Sequence, residues 1–364
     1  MKCLKYKQMW VLLLCMMLIS CQHSKEEISL QTQKQNNEEQ QIKPLTIKGA
    51  SFYSVADWFD NERVLVIEKQ DQQFQLYTYN IYTSEKELFY SSKHQIVSVK
   101  PSPDYHYFLI HTALSDEKAE LVFLDKSGKE IYTLEMNSYD LHFAWNSFMP
   151  NELLITNFSR NWTFSTSRVN VEKGTVTSLL LSQPFAYWVG KNEVAYLNTS
   201  NESQEFVASS PLIIENIDNK QKQQVTSNVS VLKNIQSMFF VLKGNNEMGE
   251  YTFYKKNHRQ PHTFRTRMLS SYGGPFVPYY QLDESKQMFY TYVPQQTGEM
   301  DSYKGKFDFI EFSLETGETN TVMEDVENVP IKLSPNGKLS LMGYQFERIF
   351  TFNQNKVNTL VRIL

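Results

Sequence analysis

A chain of 364 residues with 36 basic and 40 acidic side chains carries a formal charge of −4. It has neither a positive surplus nor a basic stripe with which to hold a nucleic acid. Its three cysteines, Cys3, Cys15 and Cys21, crowd one end, which excludes a disulfide framework or a thiolate metal site in the remaining chain.

The first eight residues hold Lys2, Lys5 and Lys7 and no acid, and residues 9–19 are an unbroken apolar run. A charged segment followed by an apolar run of this length is an export signal. The run is too short for a lasting transmembrane helix, which needs about 20 residues. It ends in Leu18-Ile19-Ser20-Cys21, which resembles the lipobox of bacterial lipoproteins. That resemblance implies transfer of a diacylglyceryl group to the Cys21 thiol, cleavage after Ser20, and retention on the outer face of the cell membrane by acyl chains such as palmitate. Two or three chains anchor firmly, because each buried CH₂ adds about 0.8 kcal/mol. Residues 1–20 are thus read as the signal peptide.

Residues 21–44 form a spacer rich in Gln, Lys, Glu and Asn, with only isolated Ile28, Leu30 and Ile42. Such a composition cannot bury enough apolar area to fold, and Pro44 would end any helix within it.

From residue 45 to 364 the period is that of strands. A hairpin recurs: 121–134 around Asp125-Lys126-Ser127-Gly128, 309–323 around Glu315-Thr316-Gly317, 168–181 around Glu172-Lys173-Gly174, with versions at 75–90, 212–226, 251–265 and 349–361. Gly and Asn at the bends supply the left-handed angles such turns require. Before each hairpin a polar turn leads into an apolar strand, as in Asn61-Glu62, Ser102-Pro103-Asp104, Asn151-Glu152, Asn192-Glu193 and Ser334-Pro335-Asn336-Gly337. Trp58, Trp145 and Trp188 stand just upstream of three of these turns.

Each unit then supplies four strands at a period of roughly 40–50 residues, the blade of a β-propeller. Seven units are counted, centred on Val66, Leu109, Ile155, Tyr196, Phe240, Tyr290 and Leu341. The fold class is all-β, a propeller of four-stranded antiparallel blades, with seven blades favoured and six as runner-up. The alternative count arises because the last hairpin could pair with a strand near Leu45–Ile47. Two packed β-sandwiches fit less well, since no linker interrupts the period.

The order of lipobox, polar spacer and repeat resembles the YqgU-like uncharacterised Bacillus-type lipoproteins over nearly the whole chain. The resemblance implies six blades and carries no activity to any residue. The Ser-Pro-Asp and Ser-Pro-Asn-Gly turns are similar to those of TolB-like propellers, and such turns are geometric features.

Catalytic motifs are missing: there is no Gly-x-Ser-x-Gly, no His-Glu-x-x-His and no phosphate loop. Ser271-Tyr272-Gly273-Gly274-Pro275 looks like a segment of prolyl-oligopeptidase-like enzymes, but too little chain follows for a hydrolase domain. It is read as a turn between blades. His106 and His111 differ by an odd number and would face opposite sides of one strand, while His258, Arg259 and His262 could meet an anion. Glu299, Asp301 and Asp308 lack the spacing of a calcium loop. No cofactor, metal or catalytic residue is assigned.

A rigid scaffold that displays loops suits recognition. The expected function is a non-catalytic binding or assembly module for an envelope protein or cell-wall glycan. The alternative is an envelope hydrolase of glycan type with its active site in the central funnel. Two carboxylates converging there would favour the enzyme. The long insertion 293–306 is the candidate partner-contact loop, through Gln295, Glu299, Asp301, Tyr303 and Lys304. Its deletion is expected to spare folding but weaken binding.

Overall fold

The computed structural model describes residues 40–364 apart from 200–208, 245–246, 257 and 273. Cys21, the signal and most of the spacer lie outside the described residues, as does His23. The compact unit that carries the strands spans Ile42–Leu364.

Seven four-stranded antiparallel sheets follow one another in the chain. They occupy residues 52–92, 95–137, 140–179, 187–229, 231–267, 280–326 and 331–359, and are numbered here as blades 1 to 7. In each blade the four strands lie in sequence order. Every residue taken as a unit centre, from Val66 to Leu341, falls in the second strand of its blade.

The second strands explain the fold. They are apolar on both faces, as in Val64 to Ile67, Phe108 to Ile110 and Met238 to Leu242, all buried. A strand covered on one face would alternate, and a strand covered on both reads as a continuous apolar run. Neighbouring side chains of these strands go to opposite sides of the blade. Leu65 joins the core shared with blade 2, and Val66 joins the core shared with blade 7. Likewise Phe239 packs toward blade 4 and Phe240 toward blade 6. Phe289 faces blade 5 while Tyr290 faces blade 7. The same alternation at Leu109/Ile110, Leu154/Ile155 and Val194/Ala195 fills the remaining interfaces. The core is therefore a set of wedges between blades. The outermost strands are the most exposed, Thr175–Leu179 above all.

The ring closes between blades 7 and 1. The strand Leu45–Ile47 pairs in parallel with Val361–Ile363, register Leu45 to Val361. Leu45 and Ile47 are buried with Val66 of blade 1 and Leu341 of blade 7. The anticipated pairing of the two chain ends thus occurs, but beyond the fourth strand of blade 7, so the count of seven sheets is unaffected.

One accessory sheet departs from the repeat. Leu269–Ser271 pairs with Gly274–Pro275 and, in parallel, with Gly298–Glu299. Of the Tyr-Gly-Gly-Pro segment, Gly274 and Pro275 form a strand of this sheet, and Tyr272 is exposed and in the left-handed region at φ 49°.

Candidate functional site: the central channel

The innermost strands run Phe52–Trp58, Gln95–Pro101, Asp140–Trp145, Tyr187–Trp188, Val231–Ile235, Tyr280–Asp283 and Ile331–Leu333. Their inner edges have no further strand to pair with, so side chains of neighbouring blades supply hydrogen bonds. The indole of Trp58 donates to the Lys332 carbonyl at 2.9 Å, that of Trp145 to Lys100 at 3.2 Å, and that of Trp188 to Ala144 at 3.0 Å. Asn234 continues the series with a bond to the Trp188 carbonyl at 3.2 Å, and Gln281 reaches Ile331 at 3.2 Å. The tryptophans seen upstream of the turns are therefore inter-blade ties.

Two cavities lie along this inner wall. One, of about 760 Å³, sits where the innermost strands turn outward and is lined by residues including Asp57, Asp104, Tyr187, Asp283, Glu284 and Lys332. The other, of about 700 Å³, is lined by Lys233, Phe276, Tyr279 and Tyr280, among others. Asn234, Gln236 and Gln281 line both, so the cavities adjoin at blades 5 and 6.

The carboxylates of the first cavity are all engaged. Asp57 is ion-paired with Lys332 and accepts the Trp58 backbone N–H at 2.7 Å. Burial raises its pKa, against the pull of Lys332 and of that backbone bond. Asp104 accepts from Ser102 Oγ at 2.6 Å and lies 3.1 Å from His106. Asp283 accepts from Ser285 Oγ at 2.6 Å and pairs with Lys286 at 3.0 Å. Glu284 accepts from both the backbone N–H and the hydroxyl of Ser237, at 2.5 and 2.8 Å. Tyr105, in a left-handed turn at φ 58°, has its hydroxyl pKa raised by burial and then by Asp57.

The cations deeper along the channel are different. Lys100 is exposed, near the end of the innermost strand of blade 2. Desolvation holds its ammonium below the usual range, with Lys332 adding to the effect and Asp57 opposing it. Lys233 is lowered by burial. His142 is brought down to about 4 by burial, then by Lys100 and Lys233, with Asp140 opposing. His111 is lowered by burial and by Lys100, again against Asp140. His142 stands edge-on to Phe185 at 5.4 Å and to Tyr187 at 5.6 Å. Burial also raises the Tyr187 and Tyr280 hydroxyls, which keeps them protonated.

The insertion 293–306 is not a free loop. Gln295 Nε2 bonds Asp308 at 3.0 Å and Asp325 at 2.8 Å, and Tyr303 Oη accepts from the Gln295 N–H at 3.1 Å while donating to the Lys306 carbonyl at 2.8 Å. The rings of Tyr303 and Phe307 meet at 5.2 Å. Glu299, Asp301 and Lys304 remain exposed. The expectation that the loop could be deleted without harm to folding is revised, because its strand Gly298–Glu299 belongs to the accessory sheet and Tyr303 packs on the core between blades 6 and 7.

The histidines also fall differently from the one-strand reading. His106 lies in the turn ahead of the strand Tyr107–Ser115, with Asp104, while His111 is inside that strand. His262 packs against the Gly317 turn of blade 6. Among the described residues no three His, Cys, Asp or Glu side chains converge as a metal site. Sequence reasoning passed over Asp57, Lys100, Lys233 and Lys332. The available signal was a charged residue within a short strand just ahead of a turn.

Comparison with known proteins gives the same architecture. The chain is 28% identical over 340 residues to the uncharacterized lipoprotein YqgU of Bacillus subtilis (strain 168), covering 92% of each. Among solved structures it is similar to the uncharacterized protein lmo1340 of Listeria monocytogenes EGD-e, with a TM-score of 0.80, 22% identity and coverage of 89% of this chain and 98% of that one. The β-propeller domain of the Trilobed protease from Pyrococcus furiosus, which its description gives an open velcro topology, follows at a TM-score of 0.58 and 11% identity, covering 86% of this chain and 98% of that one. A family described as the YqgU-like 6-bladed beta propeller domain matches residues 80–343. That match begins at the end of the third strand of blade 1 and stops after the second strand of blade 7, whereas the described chain holds seven four-stranded sheets. With most of its length matched, the chain belongs to the YqgU-like β-propeller family.

Proposed function

We propose that this chain is a lipid-anchored, extracytoplasmic propeller that works as a non-catalytic binding or assembly module, for an envelope protein or a wall glycan, with the central channel as its ligand site. The observation that carries this reading is the state of the channel carboxylates. Asp57, Asp104, Asp283 and Glu284 each already hold a hydrogen bond or ion pair within the protein. Acid–base chemistry at a sugar needs a pair of carboxylates free to face the substrate.

The name of the Bacillus subtilis relative, a lipoprotein, supports anchoring through Cys21. Exposed Glu299, Asp301 and Lys304 offer a second contact surface beside the accessory sheet.

The alternative, a hydrolase of glycan type, draws on one feature: burial raises the pKa of Asp57, as a general acid requires. In-cell cross-linking of the full lipoprotein, with the lipidated spacer alone as control, tests the first reading. A protein or glycan enriched only with the propeller is the expected result. Turnover of a wall polymer that is lost in Asp57→Asn would overturn it in favour of the hydrolase.

A further inference from the structure

The channel charges are unevenly distributed along its length. The carboxylates at the turn-side cavity are satisfied by neighbours, as is Lys332. Lys100 and Lys233 are not: among the described residues neither ammonium has an ion pair or hydrogen-bond partner. Lys100 is exposed and Lys233 half-buried, so both ammonium groups are within reach of a ligand, and an anion would gain charge-assisted bonds from them.

The two lysines come from the innermost strands of blades 2 and 5. His142, on the innermost strand of blade 3, feels the charge of both. The hydroxyls of Tyr187 and Tyr280 act on one another electrostatically, and neither has a hydrogen-bond partner among the described residues. Tyr187 lies 5.6 Å from His142, between centroids. Two cations, a neutral imidazole and two phenolic O–H donors thus stand on the innermost strands of blades 2 to 6. The acids that oppose these cations are Asp57, already paired with Lys332, and Asp140, exposed at the start of its strand, where it accepts the Leu141 N–H at 2.8 Å.

We propose that this part of the channel binds the acidic group, carboxylate or phosphate, of a small saccharide. The two lysines complement its charge, and the tyrosine hydroxyls bond its oxygens. Phe185, 53% exposed beside His142, offers a ring face to the sugar. Lys233 and Tyr280 line the cavity of about 700 Å³ and Tyr187 the adjoining one of about 760 Å³, volumes typical of small-ligand sites. The inference rests on the reading of the chain as a binding module and names its ligand class.

The test is calorimetric titration of the detergent-solubilised full-length chain with three probes: a hexuronate tetramer, a glycerol phosphate tetramer and a neutral N-acetylglucosamine tetramer. At least one acidic probe is expected to bind while the neutral one does not. Binding should weaken in roughly 0.5 M salt, where screening acts within a few ångströms. Preference for the hexuronate assigns a carboxylate ligand, and preference for the glycerol phosphate assigns a phosphate. Lys100→Gln and Lys233→Gln are each expected to weaken binding about tenfold or more. Neither should lower the unfolding temperature of the free protein, because each removes an unpaired cation, and that measurement separates loss of the site from loss of the fold.

Equal binding of the neutral tetramer, or no binding of either acidic probe at roughly 10 mM, would overturn the proposal. So would unchanged affinity in the Lys100→Gln, Lys233→Gln double variant. Cross-linking that captures a protein partner in a chain blind to both acids would sink the anion site and leave the module reading intact. Hydrolysis of a bound acidic probe would do the reverse.

Discussion

Trp58 donates its indole N–H to the carbonyl of Lys332, 2.9 Å away and 274 positions later in the chain. The same two strands are tied again by the ion pair between Asp57 and Lys332. These bonds join blade 1 to blade 7 at the innermost edge, where no further strand can satisfy the backbone. The parallel pair of Leu45–Ile47 with Val361–Ile363 brings the chain ends together at the same seam.

Trp58→Phe keeps a ring in the buried site but leaves the Lys332 carbonyl without its donor. The expected cost is about 1–3 kcal/mol, a fall in melting temperature of roughly 2–4 °C per kcal/mol. Thermal unfolding followed by circular dichroism checks it. A melting temperature equal to wild type would mean that channel water replaces the indole.

Phe289 is fully buried and meets Phe253 at 4.9 Å and Phe240 at 5.8 Å between ring centroids. Phe289→Ala removes the shared wedge of blades 5 and 6. A loss of about 3–5 kcal/mol is expected in urea unfolding. Thr175→Ala, in the exposed outermost strand of blade 3, should stay within about 0.5 kcal/mol.

Gly337 sits at φ +64°, and a Cβ there would come within 2.0 Å of the Asp283 carboxylate. Gly337→Ala combines left-handed strain, about 1–2 kcal/mol, with displacement of a carboxylate that pairs with Lys286. Lys286 in turn bonds the Gly337 carbonyl at 2.9 Å. The predicted outcome is a destabilised seam between blades 6 and 7, read as faster amide exchange in 331–342 than in blade 3.

His142 titrates near 4 in the folded chain and near 6.5 when unfolded. Between these values the unfolded state binds the extra proton, so this contribution is complete above pH 6.5 and is lost as pH falls toward 4. Solvent screening limits it to roughly 1–3 kcal/mol. His111 shifts in the same direction, while the raised pKa of Asp57 acts in the opposite sense. The check is therefore the difference between wild type and His142→Phe in urea midpoints from pH 7 to 4. A gap that does not change with pH would contradict the assignment.

Cys21→Ser should move the protein from the membrane fraction to the medium and abolish labelling by a palmitate analogue. Retention of the variant on the membrane would show that another segment anchors it.

Much of the architecture was legible before the structure. Residues such as Leu109 and Ile110 are adjacent and both apolar, and a strand of that kind must be covered on both faces. Seven such strands at an even spacing leave radial stacking as the arrangement that covers them all. The hairpin bends at Gly128, Gly174 and Gly317 were readable because left-handed backbone favours glycine, and all three have positive φ. The resemblance of residues 18–21 to a lipobox could be seen because such a signal lies in contiguous residues.

The channel was not legible, for a physical reason. Asp57, Lys100, Lys233 and Lys332 stand in four short strands, and nothing local relates them. Closing the ring makes Asp57 and Lys332 partners and leaves Lys100 and Lys233 without an ion pair among the described residues. The insertion 293–306 shows the same limit: its length suggested a free loop, yet Gly298–Glu299 pairs with Leu269–Ser270, far earlier in the chain. Local periodicity thus settled which strands form and that they must stack. Only the closed ring decided which side chains face one another across the axis, because that depends on contacts between residues far apart in sequence.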